Sequence, residues 1–495
     1  MIIVGAYPDT FAHYRHNGTP LSLLADRIER TFPAEVAVHL LPFLRSDGDW
    51  GFAPNDWYAV DENLGSWDDV RRIGSARRLM VDGIYNHVGV THDYVREFLA
   101  APTADSEVIR GYRAETVDPE AVPRSPRGGP VLRPWRIAGE NWLLWQTFSD
   151  YAVDIQLDHR AVRDAIEKQL GALRENSVWG VRVDAPAYYS TRLDPVHRHH
   201  PDSYRLARAT VSLIRNSGFH VMAQLDCDEH GLRYFPPAGI PDLPIVDYAY
   251  SAHLVLALVS GSAETLAVHL RNTWTLPCPV IRAPRTHDGI LLRSKLLPEE
   301  ERHRLVEALS RHGVLPRSIS GTSYEFNSSL PYLYGLGVDA PGKAARIELS
   351  IALSAILPGV CYLYLPAVLG FTPELQSVSS DSTDPRSLNR QPLPVGFFEQ
   401  QVSTGSVSRI FDLLSALVTT RRGSLAVLGN PQDVVIGVEG VLLVERPEAG
   451  LRAVFNLHPE HTYVVAEAPP GDAPISRRMR GNSIGPLGFA VWPRP

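Results

Sequence analysis

The chain has 495 residues, 44% of them hydrophobic and 21% charged, with a formal net charge of −7. That length supports a large core in two or three domains, or a single α/β barrel with inserts. The acidic balance excludes the basic groove that nucleic-acid binding requires.

The N-terminal "MIIVGAYPDTFAHYRHNG" has no basic leader, and Asp9 soon interrupts its short apolar run, so it reads as a first strand and not a signal peptide. No apolar run is long enough to span a bilayer, and no membrane partner is expected. Further short apolar runs follow, each ahead of helical sequence: "VAVHLLPF" (36–43), "RLMVDGIYNH" (78–87), "VWGVRVDA" (178–185), "HVMAQLD" (220–226), "IVDYAY" (245–250), "PVIRAPRTHD" (279–288) and "GVCYLYLP" (359–366). "HRAVRDAIEKQLGALREN" shows the helical spacing between them. Continuous apolar strands alternating with helices imply a parallel sheet covered on both faces, and this many units favour a closed (β/α)8 TIM barrel.

Two segments break the rhythm. Residues 88–150, with "PRSPRGGPVLRPW", read as an inserted lid subdomain, and residues 291–334 as a second, helical insert. The catalytic barrel is then expected in three parts, 1–87, 151–290 and 335–422. Residues 423–495, with "DVVIGVEGVLLVERP" and "LRAVFNLHP", read as a C-terminal antiparallel β domain. Cys227, Cys278 and Cys361 are widely spaced and odd in number, as expected of free thiols in the cytoplasm.

In a parallel barrel the chemistry sits at the C-terminal strand ends. Four apolar runs close on polar residues there: Asp82 to His87, Arg182 and Asp184, Gln224 to Asp226, and His287 and Asp288. Arg182 and Asp184 are two apart on a strand and share a face. The arginine is expected to lower the aspartate's pKa and keep it ionised, as a nucleophile needs; a structural ion pair would look the same. His87 and His287 can hydrogen-bond sugar hydroxyls, and Asp288 can hold a diol in a distorted ring. No metal-binding spacing is present, so neither metal nor cofactor is expected.

These four runs, in this order, resemble the signature regions of the α-amylase superfamily, glycoside hydrolase family 13, and within it the sucrose phosphorylase group. "VHLLPFLRSDGDWGFAPNDWYAVDENLGSWDDV", "RIAGENWLLWQTF", "GVRVDAPAYY", "THDGI", "YEFNSS" and "DPRSLNR" carry the likeness. It implies Asp184 as nucleophile, Arg182 as its charge partner and Asp288 as transition-state stabiliser. It further implies His87 and His287 on the glucosyl hydroxyls, and Asp49 with Arg386 closing the pocket behind one glucose. Phe52, Phe148 and Tyr188 match pocket-lining aromatics, and Arg127 and Tyr324 match phosphate-binding positions. The implied partners are an α-glucoside or glucose 1-phosphate, and phosphate; the chain itself would be a monomer or homodimer.

The departures cluster. Glu325 stands where the group has glutamine, Tyr151-Ala152 replaces another glutamine, "LPAVLGFTPELQSVSS" differs from the acceptor loop, and Arg285 precedes "THDG" where aspartate is usual. All are expected on the leaving-group side, which suggests an acceptor other than fructose. The largest departure is Gln224 in the place of the general acid/base glutamate. An amide cannot transfer a proton, a loss of roughly 10²–10⁴-fold. Asp226 could share the face but reaches less far, and Asp228 and Glu229 fall in the loop beyond. Three readings follow: a glucoside phosphorylase inactivated or slowed by a Glu→Gln change, engineered or natural; an α-glucoside hydrolase or transglucosidase; or a non-catalytic glucoside-binding pseudoenzyme.

Overall fold

Eight of the apolar runs form one closed parallel barrel in the computed structural model of the protein. They are β1 (Ile2–Ala6), β2 (Ala37–Leu40), β3 (Leu79–Gly83), β4 (Gly180–Val183), β5 (His220–Ala223), β6 (Ile245–Val246), β7 (Val280–Arg282) and β8 (Val360–Tyr364). Neighbours in the barrel are neighbours in sequence, and β8 closes on β1. The structure describes residues 1–11, 18–103, 106, 108–118, 122, 125, 129–193, 199–225, 243–274, 276, 278–292, 299–311, 317–320, 323–327, 329–372, 385–403, 406–424, 430, 432–466 and 474–493.

β1, β2 and β8 are buried along their whole length. One face of each looks into the barrel and the other meets helices, so these runs are apolar apart from His39 in β2. The helix Arg160–Glu175 buries Val162, Ile166, Leu170 and Leu173 on one stripe, and each such side chain contributes roughly 1.5–3 kcal/mol. The helix Pro20–Thr31 starts where the Thr19 hydroxyl accepts from the Ser22 backbone N–H and Pro20 takes the first turn. Both are start signals that satisfy or remove an orphan donor.

Between β3 and β4, strands Gly111–Arg113 and Leu132–Ile137 flank Glu140–Trp145 in an antiparallel sheet. Val131, Leu132, Leu143 and Trp145 give it a core of its own. The short strand His87–Gly89 pairs with Ala152–Asp154, so this insert is tied down at the rim of the barrel. Between β7 and β8 the expectation of a helical insert is corrected. The helix Glu299–Arg311 is present, but Ile290–Leu292, Arg317–Ser320 and Ser323–Phe326 also form a three-stranded antiparallel sheet. Strands of three or four residues are too short to declare themselves by periodicity.

The C-terminal strands are β9 (Val434–Val438), β10 (Val441–Arg446), β11 (Leu451–Asn456), β12 (Tyr463–Val464), β13 (Ile475–Arg480) and β14 (Ser483–Pro493). They form an antiparallel sheet in the order β9-β10-β11-β14-β12, with β13 also on β14. Glu439 and Gly440 both have positive φ and turn β9 into β10, a two-residue hairpin of the twist-matched kind. Glu348, nearly buried on the helix Ala340–Ile356, bonds Arg477 of β13 and Arg409, fastening sheet to barrel. Among the described residues no helix is long and apolar enough to cross a membrane.

Candidate active site

Asp184 and Gln224 each stand one residue past a strand end. Ladder register pairs Met222 with Arg182 and Ala223 with Val183, and the Gln224 N–H donates to Val183 O at 2.9 Å. The Asp184 N–H donates to Gly83 O at 3.1 Å. The expected nucleophile and the amide thus occupy adjacent places on the C-terminal rim, where barrel chemistry resides.

Arg182 lies inside the barrel, nearly buried, with one nitrogen 3.3 Å from Asp184 Oδ1 and in contact with Asp82 Oδ1. Here the expectation that Arg182 keeps Asp184 ionised is corrected. Burial pushes the Asp184 carboxyl up to about 7 despite Arg182, and Asp82, Asp288 and Asp49 add to the rise. Burial works the same way on Asp82, but Arg182 and His39 outweigh it and hold that carboxyl at about 2. The one guanidinium serves Asp82 first.

Asp288 has different company. Arg390 donates to its Oδ1 at 3.0 Å and to Asp49 Oδ1 at 3.3 Å, and Arg386 donates to Asp49 Oδ1 at 3.0 Å. Burial opposes the Asp288 charge, but His287, Arg390, Arg386 and Arg182 together hold its pKa well below the usual carboxylate range. His287 is pushed down to about 3 by burial and stays neutral near pH 7. The expected pair Asp49–Arg386 is formed. Sequence reasoning missed Arg390, although it closes the quoted "DPRSLNR". Its guanidinium is packed by Tyr7, Trp50 and Phe52 at 5.9, 4.9 and 5.6 Å from their centroids. A second arginine four residues after the first, just past a short turn of helix, was the available signal.

Asp49 sits in an unusual backbone. Asp49 and Trp50 have φ of 55° and 51°, consecutive left-handed residues neither of which is glycine. Such conformations cost of order 1–3 kcal/mol each and persist where surroundings enforce them. Gly51 is also left-handed, and a Cβ on it would fall 2.5 Å from Pro42 Cβ.

The expected aromatics are together. The Phe52 ring stacks on His287 with centroids 5.3 Å apart, and Phe148 lies 5.0 Å from His87 and 5.6 Å from Tyr188. His87 Nε2 is 2.6 Å from Phe52 O, so that nitrogen carries the proton. Three buried polar atoms at these strand ends have no hydrogen-bond partner: Gln224 Oε1, His287 Nδ1 and Asp288 Oδ2. Buried polar atoms left without a hydrogen-bond partner at a barrel mouth are places where a ligand's hydroxyls can complete the bonding.

Other expectations fall elsewhere. Arg127, Asp226, Asp228 and Glu229 lie outside the described residues, as does most of "LPAVLGFTPELQSVSS"; Tyr324 and Glu325 are placed only as backbone of the strand Ser323–Phe326. Arg285, expected beside the leaving group, is instead buried in a core cleft with Pro284, Leu330, Ile347 and Tyr364. Tyr151 is exposed, with its ring against Gly48. No group of three metal-ligating side chains occurs among the described residues.

The acids, the buried arginine and the two histidines thus stand at or beside the strand ends of one closed parallel barrel. Residues 35–214 match the family model of the alpha amylase catalytic domain. The chain is 26% identical over 476 residues to the sucrose phosphorylase of Streptococcus mutans, covering 91% of this chain and 95% of that one. It is 25% identical over 402 residues to the glucosylglycerate phosphorylase of Escherichia coli, covering 78% of this chain and 71% of that one. The crystal structure of sucrose 6F-phosphate phosphorylase from Thermoanaerobacter thermosaccharolyticum superimposes with a TM-score of 0.78 at 18% identity, covering 92% of this chain and 93% of that one.

Proposed function

We propose that this chain is a retaining α-glucosyl phosphorylase that works by double displacement. Asp184 attacks the anomeric carbon and expels the acceptor, forming a β-glucosyl ester, and phosphate then displaces Asp184 to release α-glucose 1-phosphate. Asp49, Arg386 and Arg390 hold the far end of one glucose, His87 and His287 its nearer hydroxyls, and Asp288 the charge of the transition state. Phe52, Phe148 and Tyr188 wall the pocket, and Arg127 and Tyr324 receive phosphate. The observation that carries this reading is that Gln224 Oε1, His287 Nδ1 and Asp288 Oδ2, buried at strand ends of the barrel that also carries Asp184, have no hydrogen-bond partner.

The leaving oxygen needs a proton in the first step, and Gln224 has none to give. Turnover with an ordinary alcohol leaving group is therefore slow, while attack on a donor whose leaving group departs as an anion is spared. A small hydroxy acid or polyol is the acceptor we favour over fructose, since glucosylglycerate phosphorylases stand among the relatives. Gln224→Glu, incubated with phosphate and a panel of α-glucosides, should release glucose 1-phosphate about 10²–10⁴-fold faster than the parent. No release from any of them would sink the phosphorylase reading. Gln224 itself supports a second reading, a glucoside-binding protein without turnover. A glucosyl adduct from glucosyl fluoride, seen by intact mass spectrometry and absent in Asp184→Ala, would exclude it.

A further inference from the structure

Behind Asp184, four buried polar side chains from four strands form one continuous chain through the barrel. Tyr362 Oη of β8 is 3.1 Å from His39 Nδ1 of β2, and His39 Nε2 is 3.1 Å from Asp82 Oδ2 of β3. Asp82 Oδ1 accepts from Arg182 of β4, and the same Arg182 nitrogen reaches Asp184 Oδ1 at 3.3 Å. A carboxylate only accepts, so the His39 proton sits on Nε2 and Nδ1 accepts from the Tyr362 hydroxyl. Burial raises the pKa of that hydroxyl and keeps it a donor. The barrel is shaped to admit this chain. A Cβ on Gly5 of β1 would fall 1.8 Å from Tyr362 Oη, so the strand carries glycine where the tyrosine must pass.

We propose that His39 is a positioning residue for glucosyl transfer: by bonding one oxygen of Asp82 it leaves the Arg182 guanidinium shared with Asp184, which is thereby held ready to attack. The linkage rests on Asp184 being the nucleophile. The groups facing the two acids among the described residues are these. Asp82 meets Arg182, His39 and, further off, His287; Asp184 meets Arg182, Asp82, Asp288 and Asp49, with Tyr189 nearby. With His39 replaced by an apolar residue, both oxygens of Asp82 fall to Arg182, and Asp184 loses its share.

The test reads Asp184 directly. Carbon-13 NMR titration of labelled aspartate carboxyls, with the Asp184 signal identified by its loss in Asp184→Asn, gives its midpoint without need of turnover. His39→Leu should raise that midpoint by about one pH unit, a tenfold gain in proton affinity. His39→Gln keeps an N–H for Asp82 and should move it by well under half as much. Tyr362→Phe, which leaves the imidazole in place, should give a small rise and serves if His39→Leu does not fold. An unchanged midpoint in the His39 and Tyr362 variants, or equal shifts in His39→Leu and His39→Gln, overturns the proposal. The rate of adduct formation from glucosyl fluoride is followed in the same variants. A midpoint that moves while that rate keeps its pH profile supports the linkage and overturns Asp184 as nucleophile.

Discussion

The mouth of the barrel holds two pairs of carboxylates, and the pairs differ in how many guanidiniums they share. Asp82 and Asp184 share Arg182, whereas Asp49 and Asp288 share Arg386 and Arg390. The second pair is balanced, and Asp288 is held ionised. The first is one positive charge short, and the shortfall appears on Asp184, pushed up to about 7, while Asp82 stays at about 2. Where burial raises every carboxyl, the count of neighbouring guanidiniums sets which one stays charged. A fully neutralised carboxylate stays charged, and an under-served one takes up a proton more readily.

Removing a guanidinium from the balanced pair should abolish the difference, with the largest effect. Arg390→Leu leaves Arg386 alone for Asp49 and Asp288, and a loss of roughly 10²–10³-fold in glucosyl transfer is expected, the scale of losing one preorganised electrostatic partner. Adduct formation from glucosyl fluoride would measure it, with Arg390→Lys retaining part of the rate. A rate within twofold of the parent would show that the count of guanidiniums is not what separates the pairs.

Removing the acid from the under-served pair should act on stability. A carboxyl near 7 in the fold and about 3.9 when unfolded binds its proton more tightly in the native state. Its contribution is full below the unfolded value and is lost as pH rises through 7. Asp184→Asn should therefore unfold at higher denaturant than the parent at pH 8, by about 2–4 kcal/mol, and show little gain at pH 4. A variant less stable than the parent at pH 8 would mean that Asp184 is not strained by burial.

The smallest effect sharpens the same contrast through pH. The proposed attack by Asp184 needs it ionised, so adduct formation should climb about tenfold per pH unit below 7 and level off above. With an amide at Gln224 the descending limb of an essential acid should be absent, and Gln224→Glu should restore a bell with ordinary alcohol leaving groups. A bell in the parent with glucosyl fluoride would point to a second titrating group.

All eight barrel strands lie within the apolar runs, because a strand buried on both faces writes its environment into consecutive residues. The polar residues that end those runs were legible for the same reason: Asp184, Gln224 and the His287–Asp288 pair interrupt an apolar pattern. Arg390 was not, since an arginine after Asn389 looks like any solvated turn until Asp49 arrives from more than three hundred residues away. The ionisation of Asp184 was misjudged because its pair in sequence is Arg182, while the competitor for that arginine, Asp82, sits on another strand. Arg285 was misplaced because one residue's turn toward core or mouth is decided by packing against the helix Ala340–Ile356.

The left-handed bend at Asp49 and Trp50 has a consequence for recognition. The carboxylate that would grip the far end of the sugar is aimed by main-chain geometry and clamped by Arg386 and Arg390 before any ligand arrives. A sugar entering there meets a surface already set, and little binding energy goes into ordering it. The selectivity of that end is stored as strain in the free protein, so it reads as slightly lowered stability rather than as a motion on binding.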